Sequence, residues 1–322
     1  MSSRRTPPPP REWARECRFL RDLAAGRQEA LARLQEEQMP FLYRLAWFLV
    51  DNERETSQVV LSALVKGIQR AAWRPESVRL SPWLGRMVVW QAQPPPARRG
   101  QQHRQGAGRE AGGPAASLPD WSDRLAETGF RTDMRDRLAA GIRRLPWTLR
   151  PAWVLADIET CSLEESCQLL DLSPAAATSR VRRGRAVLRA ELHRHATGET
   201  APPPRDDPPA ACLEATPLLH ASLEGDLPAD QRKSLDSHLS GCPPCAALAS
   251  TSRCVRELAG ELRTMPVPPD LHLGLPEALA LANAARAEGK DPGEQGQETG
   301  RNQEGGPGIQ VHRADEPEGR PR

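Results

Sequence analysis

Lysine is almost missing from this chain: Lys66, Lys233 and Lys290 are the only ones, and arginine supplies the rest of the 44 basic residues. That substitution reflects a GC-rich coding bias, and a net charge of +2 is too near zero to argue for any partner, so only the distribution of charge is informative. Aromatic residues are scarce as well, at 4%, so the core must be largely aliphatic. No apolar run approaches the ~18 residues that cross a bilayer, which argues against a membrane partner. The N-terminus, with Pro7 to Pro10 ahead of Trp13, lacks the apolar stretch of a signal peptide, so a cytoplasmic location is expected. Seven cysteines in that setting read as thiols or metal ligands, not as a disulfide framework. No nucleophile with its base, phosphate loop or open metal site is visible, and no catalytic role is expected.

What is present is helix. Phe19, Leu20, Leu23, Ala24, Leu31, Leu34, Leu42, Leu45, Ala46 and Leu49 recur at three- and four-residue steps, predicting a helical bundle over 13–93. Prolines 94 to 96 stop it, and 94–118, rich in Gly, Arg and Gln, reads as a flexible linker. A helix-turn-helix unit is expected over 119–195, a second linker over 196–210, and a short metal-binding module over 211–265. Residues 1–12 and 266–322 are expected to be disordered. The fold class is all-α, with two small helical domains and a helical zinc module.

Ser162 with Glu165 three residues on forms a capping box, and Leu163, Cys167 and Leu170 follow at helical spacing. Asp171-Leu172-Ser173 makes the turn, with Leu172 as a buried plug, Ser173 as the next cap and Pro174 at the first helical position. In the helix that follows, Val181, Leu188 and Leu192 mark the buried stripe. Arg180, Arg182, Arg183, Arg185 and Arg189 fall on the other faces, with Glu191 the only acid close in sequence. Such a run is either a solvated helix face or a set of phosphate and base contacts. Because it follows a capped turn, groove binding is the favoured reading, with Ser173, Thr178, Ser179, Arg180, Arg182, Arg183 and Arg185 as the DNA-facing residues.

The third segment carries a second motif. His238 and Cys242, four apart, share a helix face, and Cys242-Pro243-Pro244-Cys245 folds two sulfurs toward one point. With Cys212 they complete a tetrahedral, closed and therefore structural zinc site, which offsets the small core of so short a module. A redox pair, unligated thiols, or His220 in place of Cys212 are the alternatives. Cys17, Cys161, Cys167 and Cys254 read as core residues.

These residues resemble two families. Leu145-Pro146, the apolar helix after it and the ending Ser179-Arg180, Arg183, Arg185 are similar to region 4 of extracytoplasmic-function sigma factors of the sigma-70 family. The order Leu23-Ala24-Ala25-Gly26, Phe41-Leu42-Tyr43-Arg44-Leu45-Ala46 and Pro82-Trp83-Leu84 resembles their region 2. Thr56 to Leu61 lacks the carboxylates that in the family dock on the polymerase clamp, and the strand-capture helix is cut short, with Trp90 read as core more readily than as a base-stacking platform and Arg98-Arg99 as phosphate contacts. Leu223 to Leu227 leading to His238-Leu239 and Cys242 to Cys245 resembles the zinc-finger domain of zinc-binding anti-sigma factors. The resemblance implies a sigma factor that takes core RNA polymerase to double-stranded promoter DNA, with a zinc module able to contact the sigma-like domains within the chain. A polymerase-independent DNA-binding regulator, or an anti-sigma or interaction protein with vestigial sigma regions, are the rival expectations.

Overall fold

The chain begins its described course with helix α1, Pro10–Ala24, which turns at Gly26 into α2, Gln28–Glu37, and α3, Met39–Leu49. The structure, a computed structural model, describes residues 10–50, 52–94, 120–200, 208–225 and 227–287. Of the expected disordered start and linkers, 1–9, 95–118 and 201–207 lie outside the described residues, as do Arg98 and Arg99, whereas 10–12, 196–197 and 210 are helical. No strand occurs among those described, and the all-α class holds.

Helix α4, Glu53–Gln69, starts where the Asn52 side chain accepts the Glu55 amide at 2.8 Å. It packs on α3 and on α5, Leu80–Gln91, and the predicted stripe is the reason: Leu23, Leu34, Leu42, Leu45, Ala46 and Leu49 are all buried. Helix α5 ends at Gln91, just short of the prolines. Buried Arg74 ties this bundle to α1 by pairing with Glu16 at 2.6 Å.

After a 3-10 turn at Ser122–Ala126 come α6, Thr128–Arg144, and α7, Arg150–Trp153, which continues as a π-helical turn over Val154–Ile158. The helix-turn-helix follows as α8, Leu163–Leu170, and α9, Pro174–Thr197. Its first helix lies directly on the bundle. A Cβ built at Gly85 of α5 would stand 2.5 Å from the Leu169 side chain of α8 and 3.1 Å from the Phe41 ring, so a larger residue there would push those side chains aside. Arg44 of α3 also meets Glu159 through two 2.8 Å hydrogen bonds in a nearly dry contact.

The zinc segment supplies α10, Ala210–Glu224, α11, Ala229–Gly241, and α12, Pro243–Leu262. Helix α12 runs along α6, the π turn and α9. Arg131 of α6 reaches Glu257 and Glu261 at 2.5 Å, and Arg263 donates to the Ile158 carbonyl at 2.6 Å. The expected disordered tail is corrected in part: Pro269–Ala287 is helix α13, whose Leu271, Leu275 and Leu279 enter the main core. Leucines at a four-residue step, which a composition rich in Gly, Pro and Glu further on obscured, make that helix amphipathic. Residues 288–322 lie outside the described residues.

Candidate functional site

Three helix ends converge to build the first site. Cys212 projects from the first turn of α10, and His238 from the last turn of α11. Helix α11 stops because Cys242 adopts an extended backbone, φ −128° and ψ 91°, and Pro243 and Pro244 then open α12, where missing N–H groups cost nothing. Cys242 thus caps α12 and Cys245 sits in its first turn, where the helix dipole favours negative sulfur.

The ligand atoms of Cys212, His238, Cys242 and Cys245 all lie within 4.8 Å of one another. Two observations test whether zinc fits. Tetrahedral zinc with sulfur at about 2.3 Å places two sulfurs about 3.8 Å apart, and the Cys212 and Cys242 sulfurs stand 3.7 Å apart. His238 Nε2 is buried with no hydrogen-bond partner, which a metal would supply. Burial, with Cys242 and Cys212 beside it, pushes the Cys245 thiol up to about 12, because packed thiols cannot ionise together without a cation. The four donors form a closed Cys3His set, which is a structural zinc site, as the sequence predicted. His220 has no part in it. Its ring lies near Arg182, Arg185 and Arg189 of α9, and burial together with those charges lowers its pKa to about 4.

The second site is the arginine run of α9. Its local architecture follows the sequence: Ser162 and Glu165 form a full capping box, Asp171 takes the left-handed conformation at φ 55°, and Ser173 accepts the Ala176 amide at 3.3 Å. Leu172 is half-buried where a buried plug was expected, and Leu163 is exposed, while Cys167 and Leu169 face inward. Val181, Leu188 and Leu192 are buried as predicted.

The arginines divide. Arg182 and Arg183 are exposed, as are Ser173 and Ser179, whose carbonyl accepts from Arg183, while Arg180 and Thr178 are half-buried. Arg185 is a correction. It is buried, bridging Asp157 through two hydrogen bonds of 3.2 and 3.0 Å and Glu224 at 3.1 Å, and therefore faces its own carboxylates and not a DNA groove. Arg189 is also half-buried, beside Asp157 and Arg256. Desolvation raises the Asp157 pKa against the pull of Arg185. An aspartate inside the apolar run Ala152 to Ile158 was the signal available in the sequence: such a charge needs a buried partner.

A third group went against expectation. Trp90, read as core, is 46% exposed, with Lys66 at 4.4 Å and Arg70 at 4.9 Å from its ring centroid. Trp73, at the end of a 3-10 turn close by in sequence to Arg70, is 57% exposed. Of the cysteines assigned to the core, Cys167 and Cys254 are buried, and Cys17 and Cys161 half-buried.

Residues 212–246 match a protein family described as "Putative zinc-finger", and that span contains all four donors. No curated protein matches the chain. No helix among the described residues is long and apolar enough to cross a membrane.

Proposed function

We propose that this chain is a non-catalytic transcription initiation factor of the sigma type, closed in cis by its own anti-sigma-like zinc module. The observation that carries the reading is the bridge from Glu224, on a helix of the zinc segment, to Arg185, on the second helix of the helix-turn-helix. Helix α12 reinforces it by packing along α6 and α9. In this reading Arg182 and Arg183, with Ser173, Ser179 and half-buried Arg180 and Thr178, meet promoter phosphates and bases. The bundle from α1 to α5 engages core RNA polymerase, and the Trp90, Lys66 and Arg70 patch offers stacking and charge to an unpaired strand.

The experiment is run-off transcription with purified core RNA polymerase on a duplex promoter library, alongside a polymerase pull-down. The zinc-loaded full chain is compared with a Glu257→Ala/Glu261→Ala variant that loosens α12 from Arg131. Initiation that rises in the loosened variant supports the reading; absence of both initiation and polymerase capture in either protein overturns it. A second reading, an interaction protein with vestigial sigma-like regions, is favoured by the burial of Arg185 and by α5 lying against α8. It predicts that Arg182→Ala/Arg183→Ala leaves function in cells unchanged.

A further inference from the structure

Between the π turn and the first turns of α9 lies a cavity of about 410 Å³, within the range of small-ligand pockets. Small side chains make room for it: Ala152, Ala156 and Ala177 line it where larger residues would fill the space. The backbone around it is irregular in two places. The turn that carries Ala156 is π-helical, and Thr160 holds φ at 51°, a left-handed conformation that a β-branched residue adopts at a cost of ~1–3 kcal/mol. Both features recur around ligand sites, because regular helix would close the space.

Three of the four charged side chains in the lining are held by polar partners. Glu165 accepts the Ser162 amide and hydroxyl in the capping box, and Glu224 pairs with Arg185, which also holds Asp157. Arg256 of α12 is different. It lines the cavity, its charge is felt by Asp157, and yet it makes no ion pair among the described residues. The lining thus carries two cations and two carboxylates; Glu165 is held in place by its capping hydrogen bonds, and Arg256 is the lining cation that no ion pair among the described residues holds. Cys161 forms apolar wall, not a nucleophile, since burial, with Glu165 and Glu159 nearby, pushes its thiol up to about 12. A wall that desolvates a thiol to that extent also strengthens a charge-assisted hydrogen bond made against it. Thr160 and Thr178 add two hydroxyl-bearing side chains to the lining.

We propose that this cavity binds a small organic monocarboxylate, its carboxylate on Arg256 and its apolar body over Ala152, Ala156 and Ala177. The walls come from both halves of the closed chain: Thr178 from the helix-turn-helix, Glu224 and Arg256 from the zinc segment. The ligand stabilises the docked arrangement by mass action, since undocking dismantles its site. Binding itself does not depend on the transcriptional reading; only a resulting change in transcription would rest on it.

The test uses the zinc-loaded full chain without polymerase or DNA, so its outcome is separate from the run-off experiment. Benzoate, 4-hydroxybenzoate and hexanoate are titrated at millimolar concentration by calorimetry and thermal shift, with benzamide and benzylamine as neutral and cationic controls. At least one carboxylate is expected to bind while both controls do not. Arg256→Gln is expected to weaken that binding about tenfold or more, the loss of one charge-assisted bond, with partial recovery in Arg256→Lys, and Ala156→Leu to abolish it by filling the floor. Should Ala156→Leu fail to fold, Arg256→Gln at a half-exposed position carries the test alone. The proposal is overturned if no carboxylate binds, if Arg256→Gln binds as wild type, or if benzylamine binds as well as benzoate.

Discussion

Two cores of very different construction meet in one helix. The large one gathers Leu34, Leu42, Leu64, Leu138, Trp153 and Ile158, and closes by largely aliphatic packing drawn from α1 to α9 and from α12 and α13. Among the described residues the small one buries Ala215, Leu219, Leu227, Leu235, Leu248 and Ala249, with half-buried Leu218, Ala221 and Leu239 against them, and closes around four metal donors. Helix α12 belongs to both. Cys245, Leu248 and Ala249 in its first half face the zinc side, while Val255, Leu258, Ala259 and Leu262 in its second half enter the large core. Where apolar area is too small to offset chain entropy, a metal supplies the difference. Coupling through α12 makes the metal matter beyond its own core.

Removing zinc should break this pairing most. Chelation, or Cys242→Ser with Cys245→Ser, is expected to release about one equivalent of zinc and to unfold α10 and α11, since structural zinc contributes on the order of 10 kcal/mol in small modules. Hydrogen exchange should then rise across 210–249 and spread into the start of α12, while Trp153 in the large core keeps its protection. Simultaneous melting of both cores would show that they are one cooperative unit.

A smaller effect is expected where the cores touch electrostatically. Arg185→Ala leaves Asp157 buried without its partner and should cost about 3–5 kcal/mol in urea unfolding, the usual penalty for breaking a buried pair. Replacing the pair together, Arg185→Leu with Asp157→Leu, should recover most of that. A loss below about 1 kcal/mol, typical of exposed pairs, would mean that the bridge is solvated.

The smallest effect is a pH dependence. His220 has an ordinary pKa of 6.5 lowered to about 4 by burial and by Arg182, Arg185 and Arg189. Its neutral form is the one the fold favours, so its contribution is fully present above pH 6.5 and is lost as pH falls toward 4. At about 1.4 kcal/mol per pKa unit, discounted for partial exposure, the loss is on the order of 2 kcal/mol. His220→Leu should remove that component, read as the difference in stability between variant and wild type at pH 7 and pH 5; parallel profiles would show that the ring is solvated.

How far the sequence could be read tracks the reach of each interaction. The capping box at Ser162, the turn at Asp171 and the Pro174 start are governed by neighbours within three or four residues, and all three are found as expected. His238, Cys242 and Cys245 were visible for the same reason. The docking of α13 was not, nor was Trp90, whose exposure depends on which face of α5 the bundle leaves open.

Local chemistry in the chain determined the helices, their caps and the zinc donors His238, Cys242 and Cys245, because each depends on residues a turn or two apart. Which arginines of α9 remain free was decided only in three dimensions. Asp157 and Glu224 lie 28 and 39 positions from Arg185, and both reach it only because α7 and its π turn, α9 and α10 are brought side by side. A charge whose sequence neighbours leave it unpaired can still be neutralised from afar, since desolvation on packing makes a buried charge costly unless a carboxylate pairs with it.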